Sequence, residues 1–243
     1  YLEVIRTADD LYLKGGDSII QGLALFDLER ANIEHGQKWS SENAENHDEA
    51  LVSNDYPNAG AHVINLRLHP HGQIRWIEAA LNATKQLKHR PYEGAHLGNL
   101  GLAYADLGET RKAIEHYEQR MKIAREMADR LGEGKALGNL GNAYYLLGET
   151  RQAIEYHEQS LSIFREIGDR RGEGNALGNL GIAYAALGET RKAFEFYEQS
   201  LTIDREIGDR RGEGYDLGNL GNAYAALGET RKAIEYHEQY LTI

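Results

Sequence analysis

In the second half of the chain, hydrophobic and polar positions alternate between two helical registers. Leu177, Leu180, Tyr184 and Leu187 follow one another at steps of three and four. After Gly188, a second stripe runs through Ala193, Phe194, Tyr197 and Leu201. Apolar residues at that spacing share one face of a helix, so 177–187 and 190–207 predict two amphipathic helices. Each side chain buried along such a face contributes roughly 1.5 to 3 kcal/mol. Gly188 suits the left-handed conformation that ends a helix, and Gly181 and Ala193 are small where the two helices must cross closely. The pattern then recurs: Gly101, Gly141, Gly181 and Gly221 lie 40 residues apart, each in Leu-Gly-Asn-Leu-Gly with a Tyr three residues on. Repetition of that regularity predicts an all-α stack of helical hairpins in which each unit contacts only its neighbours.

Local signals punctuate the repeat. Asp129, Asp169 and Asp209 follow Ala128, Gly168 and Gly208 and precede each new hairpin, where an Asp side chain caps open backbone amides. Gly172-Glu173-Gly174 weakens the helix start that follows, by up to about 1 kcal/mol per Gly, and nothing local accounts for it. Upstream the register fades. Arg75, Trp76, Ile77, Glu78, Ala80, Leu81 and Arg90 align at the 40-residue offset with Glu115, His116, Tyr117, Glu118, Arg120, Met121 and Arg130. Residues 56–90 therefore predict a degenerate hairpin, with Pro70 opening its second helix, where a missing amide costs nothing. Before it, 1–14 and 18–39 predict two helices broken by Gly15 and Gly16, and the polar 40–57 reads as a loop. The expected organisation is a helical cap or adaptor (1–55), the degenerate hairpin (56–90), and an array of four 40-residue units with the last truncated (91–243). Tyr1 in place of Met, and Ile243 inside a predicted helix, lead to the expectation of a piece of a longer protein.

Leu180, Gly181, Tyr184, Gly188, Ala193 and Tyr197 match the signature positions of the tetratricopeptide repeat, which the units resemble. They are longer than that family's norm of about 34 residues. The resemblance implies a right-handed superhelix of about four and a half hairpins and a role in recognition. Gly138-Asn139-Leu140-Gly141-Asn142-Ala143-Tyr144 and Ile167-Gly168-Asp169-Arg170 are similar to the 40-residue units of the Partner-of-Inscuteable adaptors, which bind extended peptides along the inner groove. Upstream, Leu25-Phe26-Asp27-Leu28-Glu29-Arg30-Ala31-Asn32-Ile33 resembles the helix that follows the winged helix in bacterial signal-transduction ATPases of the NB-ARC (STAND) type, where it leads into a tetratricopeptide sensor arm. That resemblance implies the sensing arm of a signal-transduction ATPase. A stand-alone adaptor bridging protein partners, and a scaffold linked to an effector enzyme, are the alternatives.

Composition narrows the partners. The net charge of -11 disfavours the basic surface that nucleic acid requires. Absence of Cys excludes disulfides and thiolate metal sites and fits a reducing, cytoplasmic compartment. No apolar run approaches the ~20 residues that cross a bilayer, so no membrane partner is expected.

Catalytic and cofactor motifs fail on spacing. Gly132-Glu133-Gly134-Lys135-Ala136 lacks the geometry and the hydroxyl of a phosphate-binding loop, and Gly172, Gly174 and Gly178 are misplaced for a dinucleotide. His69 and His71 invite a metal, yet no ligand set recurs with them. His157 and His237 occupy the packing slot of Tyr117 and Tyr197. No catalytic residue, cofactor or metal is expected, and the chain reads as non-enzymatic. The remaining candidate is a ladder of amides. Asn99, Asn139, Asn179 and Asn219 share one position of the first helix, and Asn142 and Asn222 share a second, where Leu102 and Ile182 stand in the other units. In tetratricopeptide proteins the matching positions face the concave groove, flanked here by Lys135, Asn175 and Tyr215 and, further on, Tyr145. An amide can hold both the N–H and the C=O of an extended peptide, so the expected partner is a protein or peptide. The alternative is that the amides bond between hairpins and hold the stack together. Near-identical units further predict end-to-end self-association through an uncovered apolar face.

Overall fold

The computed structural model describes all residues from Tyr1 to Ile243, as thirteen helices and no strand. They are α1 (Leu2–Lys14), α2 (Asp17–Glu42), α3 (His47–Ala59), α4 (Ala61–Arg67), α5 (Pro70–Gln86), α6 (Arg90–Asp106), α7 (Thr110–Glu126), α8 (Arg130–Leu146), α9 (Thr150–Ile167), α10 (Arg170–Ala186), α11 (Thr190–Ile207), α12 (Arg210–Ala226) and α13 (Thr230–Tyr240). The all-α class and the hairpin repeat are as expected. The chain forms two compact units, 1–123 and 124–243.

In the first unit, Ile5 and Ala8 of α1, Phe26 and Ile33 of α2, Tyr56 of α3 and Val63 of α4 make one apolar cluster with Trp76 of α5. Gly22 lets α1 and α2 approach, since a Cβ there would lie 2.4 Å from the Ala8 carbonyl oxygen. Gly15 and Gly16 separate these helices with positive φ of 77° and 57°. Pro70 opens α5, as its missing N–H allows. The loop expected over 40–57 is corrected: α2 continues to Glu42 and α3 occupies His47–Ala59. Its inward residues Ala50, Ser53, Asn54, Tyr56 and Pro57 are mostly polar or small, so no apolar stripe announces it. Packing against α5 makes it a helix, and the His96 ring bonds Asn54 Oδ1 at 2.8 Å from α6. Thus α3 is the element paired with α5, and α4 is a short helix between them.

The second unit is three hairpins, α8–α9, α10–α11 and α12–α13, stacked so that α9 packs on α10 and α11 on α12. Leu137 and Leu140, Leu177 and Leu180, and Leu217 and Leu220 are all essentially sealed from solvent. Gly181 sits where a Cβ would lie 2.4 Å from the Tyr197 ring, the close crossing its position implies. Asp129, Asp169 and Asp209 do cap the next helix, each Oδ1 accepting the N–H of Gly132, Gly172 or Gly212 at 2.9 to 3.0 Å. Gly168 and Gly208 end α9 and α11 with φ of 71° and 70°, and Ala128 takes the same left-handed position at 55°.

The Gly-Glu-Gly segment has a tertiary reason. A Cβ on Gly172 would meet the Phe164 ring of the preceding helix at 2.4 Å, and one on Gly174 would lie 3.0 Å from Asp204 of the following helix, so the two glycines admit the helices on either side. The glutamate between them is buried and clasped by two arginines. Arg165 Nε and Arg170 Nη1 donate to the two carboxylate oxygens of Glu173 at 2.9 and 2.6 Å. Glu213 is held in the same way by Arg205 and Arg210, both at 2.8 Å. Burial works to raise the pKa of Glu173, but these charge-assisted bonds outweigh it and hold the group below the ordinary range. Arg170 reaches on to Glu206 of α11, tying the clasp to the neighbouring helix.

Candidate functional site

The face of α8, α10 and α12 opposite the buried leucines carries the amides. A helix turns about 100° per residue, which sets Lys135, Asn139 and Asn142 within one narrow stripe and Leu137 and Tyr144 on the far side. Asn139, Asn179 and Asn219 are half-buried at one identical position. Asn142 and Asn222 are exposed beside them, and Ile182 is half-buried in their place on α10. No hydrogen bond within the protein engages any of these amide side chains. Lys135 and Asn175 lie exposed one turn toward the helix start, and Lys135 makes no ion pair. Tyr215, in the same register, is exposed but engaged. Arg211 Nη2 and Nε donate to its hydroxyl at 3.1 and 3.2 Å, with the guanidinium 5.5 Å above the ring. Tyr145 is half-buried and packs against the cluster that contains Leu177 and Leu180, which puts it at the edge of the stripe.

Asn99 belongs to the first unit. It is half-buried and lines a cleft of about 270 Å³ with Asn58, Asn65, Gln73, Leu102 and Asp106. Leu102, the counterpart of Asn142 and Asn222, is 48% exposed there. Three of these amides, Asn58, Asn65 and Gln73, lie outside the 40-residue register, so periodicity had no means to find them. Gln73 is already engaged, donating to the Leu68 carbonyl at 3.0 Å.

The aromatic slots are structural. His157 is 1% exposed, its ring lies against Gly141, where a Cβ would be only 2.5 Å away, and burial pulls its pKa down to about 4. Tyr197 fills the same slot one repeat later, its hydroxyl pushed up to about 12 by burial and by the nearby Asp216. Periodicity also missed a pair of buried carboxylates. Asp204 stands where α9 has Phe164, Asp216 where α8 and α10 have Ala136 and Ala176, and both Asp side chains are nearly inaccessible.

A tetratricopeptide-repeat family model matches residues 96–131, and a second matches 132–206 and 192–243. Together they take in more than half of the chain. The chain is a tetratricopeptide-repeat protein. No curated protein sequence matches it. Among solved structures, it is similar to the STAND protein (Signal Transduction ATPase with Numerous Domains) with a tetratricopeptide repeat sensor from Pyrococcus horikoshii. The identity is 18% and the TM-score 0.77, over 99% of this chain and 36% of that one. It is also similar to BtubC from P. vanneervenii, at 18% identity and TM-score 0.75 over 89% of this chain and 90% of that one. A third likeness is to aspartyl phosphate phosphatase F from Bacillus subtilis, at 14% identity and TM-score 0.70 over 90% and 54% of the two chains. The chain spans about a third of the STAND protein's length, and at these identities the likenesses establish the fold. The tetratricopeptide fold suggests a protein-binding module, and repeats of this family are typically non-catalytic interaction scaffolds. No helix is long and apolar enough to cross a membrane, and no group of three or more His, Asp or Glu is placed to hold a metal ion.

Proposed function

We propose that the chain is the ligand-sensing arm of a cytoplasmic signal-transduction ATPase, and that it holds an extended segment of a protein partner against the amides of α8, α10 and α12. One observation carries this reading: Asn139, Asn179 and Asn219 are half-buried at the same position of successive hairpins and have no side-chain partner inside the protein. Asn is a mediocre helix former, and a half-buried amide leaves donors and an acceptor to be satisfied. An extended peptide backbone offers both at regular intervals. Had the amides served to join hairpins, hydrogen bonds between them would be expected, and none is made. Lys135, Asn142, Asn175, Tyr215 and Asn222 flank the row, and Tyr145 closes its edge. In the first unit, Asn99 with Asn58 and Asn65 offers a separate amide-lined cleft.

The link to an ATPase is supported by the Leu25 to Ile33 segment on α2 and by the likeness to the Pyrococcus sensor along nearly the whole chain. A stand-alone adaptor is the second reading, favoured by the likeness to BtubC, which takes in 90% of that chain. The test is a pull-down with the chain and with a variant carrying Asn139→Ala, Asn142→Ala, Asn179→Ala and Asn219→Ala, after circular dichroism has shown that both melt alike. Partners lost only from the variant support the groove reading; an unchanged set of partners sinks it. ATPase domains recovered in the same gene product, upstream of Tyr1, separate the first reading from the second.

A further inference from the structure

His69 and His71, which no metal-ligand set absorbs, stand at a cleft between α2 and α5 in the first unit. Its volume is about 760 Å³, within the size range of small-molecule sites. Arg30 and Lys38 line it from α2 and Arg75 from α5, and Glu34 is the one carboxylate in its wall. Glu34 is already taken, accepting from Arg30 Nε at 2.8 Å. Lys38 has only Glu42, at 3.7 Å and outside the cleft. Arg75 makes no ion pair at all. The two histidine rings lie 5.2 Å apart. His69 Nδ1 accepts the His71 backbone N–H at 3.3 Å, which leaves the proton of a neutral ring on Nε2, a donor. The wall is therefore rich in charged donors, in a chain with 38 acidic and 27 basic residues. Arg75, with no carboxylate partner, and Lys38, whose only one stands 3.7 Å away outside the cleft, leave positive charge that an external anion can satisfy. Guanidinium and ammonium groups together suit a phosphate, whose oxygens accept several charge-assisted bonds at once.

We propose that this cleft binds a phosphomonoester of a small molecule, its phosphate held by Arg75 and Lys38 with the His69 ring beside them. The site is separate from the amide row, so a peptide and a phosphate ester would be carried by different parts of the chain. Isothermal titration of the full chain with glycerol 3-phosphate tests it, with inorganic phosphate and glycerol as the comparison arms. Saturable binding of glycerol 3-phosphate is expected at or below the millimolar range, weakened by roughly tenfold in Arg75→Gln. Lys38→Gln, at a side chain 71% exposed, provides a second variant with no packing role and should weaken binding likewise. Arg231→Gln, 94% exposed in the second unit, should leave binding as it is. Equal binding of inorganic phosphate supports the site with the phosphate as the recognised group. Absence of saturable binding up to about 10 mM, binding of glycerol alone, or affinity unmoved by both Arg75→Gln and Lys38→Gln overturns the proposal.

Discussion

Asp216 makes the stability of the second unit depend on pH in a way that a single substitution should remove. It is 3% exposed on α12, and its Oδ2 is buried with no hydrogen-bond partner. Burial pushes its pKa up from 3.8 to about 7, the Ser200 hydroxyl opposing and Asp204 adding to the rise. Asp204 is itself raised to about 6, by burial and by Asp209, with Arg171 working against them and Glu213 with them. A carboxyl raised in the folded state contributes stability that is fully present below its unfolded value near 4 and is lost as pH rises through about 7. A displacement of about three units corresponds to about 4 kcal/mol between those limits. Asp216→Ala installs the residue that Ala136 and Ala176 supply at the same position, where they are 0% and 3% exposed, so the slot accepts it. The variant should exceed the parent by about 2 to 4 kcal/mol at pH 8 and by much less at pH 4.5. Urea unfolding followed by circular dichroism at several pH values reads the difference, and hydrogen exchange of the α12 amides localises it. His157 pulls the other way, because burial lowers its pKa to about 4 and its contribution is lost as pH falls below the unfolded imidazole value. That effect is common to both proteins, so the difference between them isolates Asp216. A variant whose stability tracks the parent at every pH, or falls below it at pH 8, would refute the buried-acid account.

Three further outcomes are expected. Ala128→Gly should raise the urea midpoint by the equivalent of about 0.5 to 1 kcal/mol, since Ala128 holds a left-handed φ, 55°, at the position that Gly168 and Gly208 fill in the next two repeats; a loss of stability would contradict this. Gly181→Ala should cost about 2 kcal/mol or more through overpacking, because its methyl would sit 2.4 Å from the Tyr197 ring. Gly218→Ala, where nothing lies within 4 Å of the added methyl, should gain up to about 1 kcal/mol from helix propensity; thermal melts that shift both in one direction count against the packing argument. End-to-end self-association is expected from α13, on which Ile234 is 53% exposed, against 7% for its counterpart Ile154. Sedimentation should then show dimers that weaken with Ile234→Lys, and a monomer at every concentration would end the idea.

The period, the hairpin and its punctuation were legible in the sequence because each is a local property. A 40-residue recurrence of Leu, Gly, Tyr and Ala positions specifies which helix faces must be buried, and an Asp or a Gly at a helix end acts on backbone groups within a few residues of itself. The position of the amide row follows from the same geometry, since Asn139 and its counterparts lie across the helix from Leu137 and its counterparts. What local pattern could not carry was decided by residues brought together from different helices. Residues 47–59 look like a loop because their buried residues are polar or small, and only α5 and α6 supply the partners that make Asn54 an interior residue. Gly172-Glu173-Gly174 looks costly until Phe164 and Arg165, from the preceding helix, fill the space and meet the charge. Asn99 and Asn139 sit in the same Leu-Gly-Asn-Leu-Gly motif, yet Asn99 faces Asn58 and Asn65 from α3 and α4, neighbours that belong to no repeat. Asp204 and Asp216 are ordinary surface residues by composition. They become a strained, titrating pair only because each occupies an interior slot that earlier hairpins fill with Phe or Ala, and burial in a low-dielectric interior is a property of the stack and not of the chain.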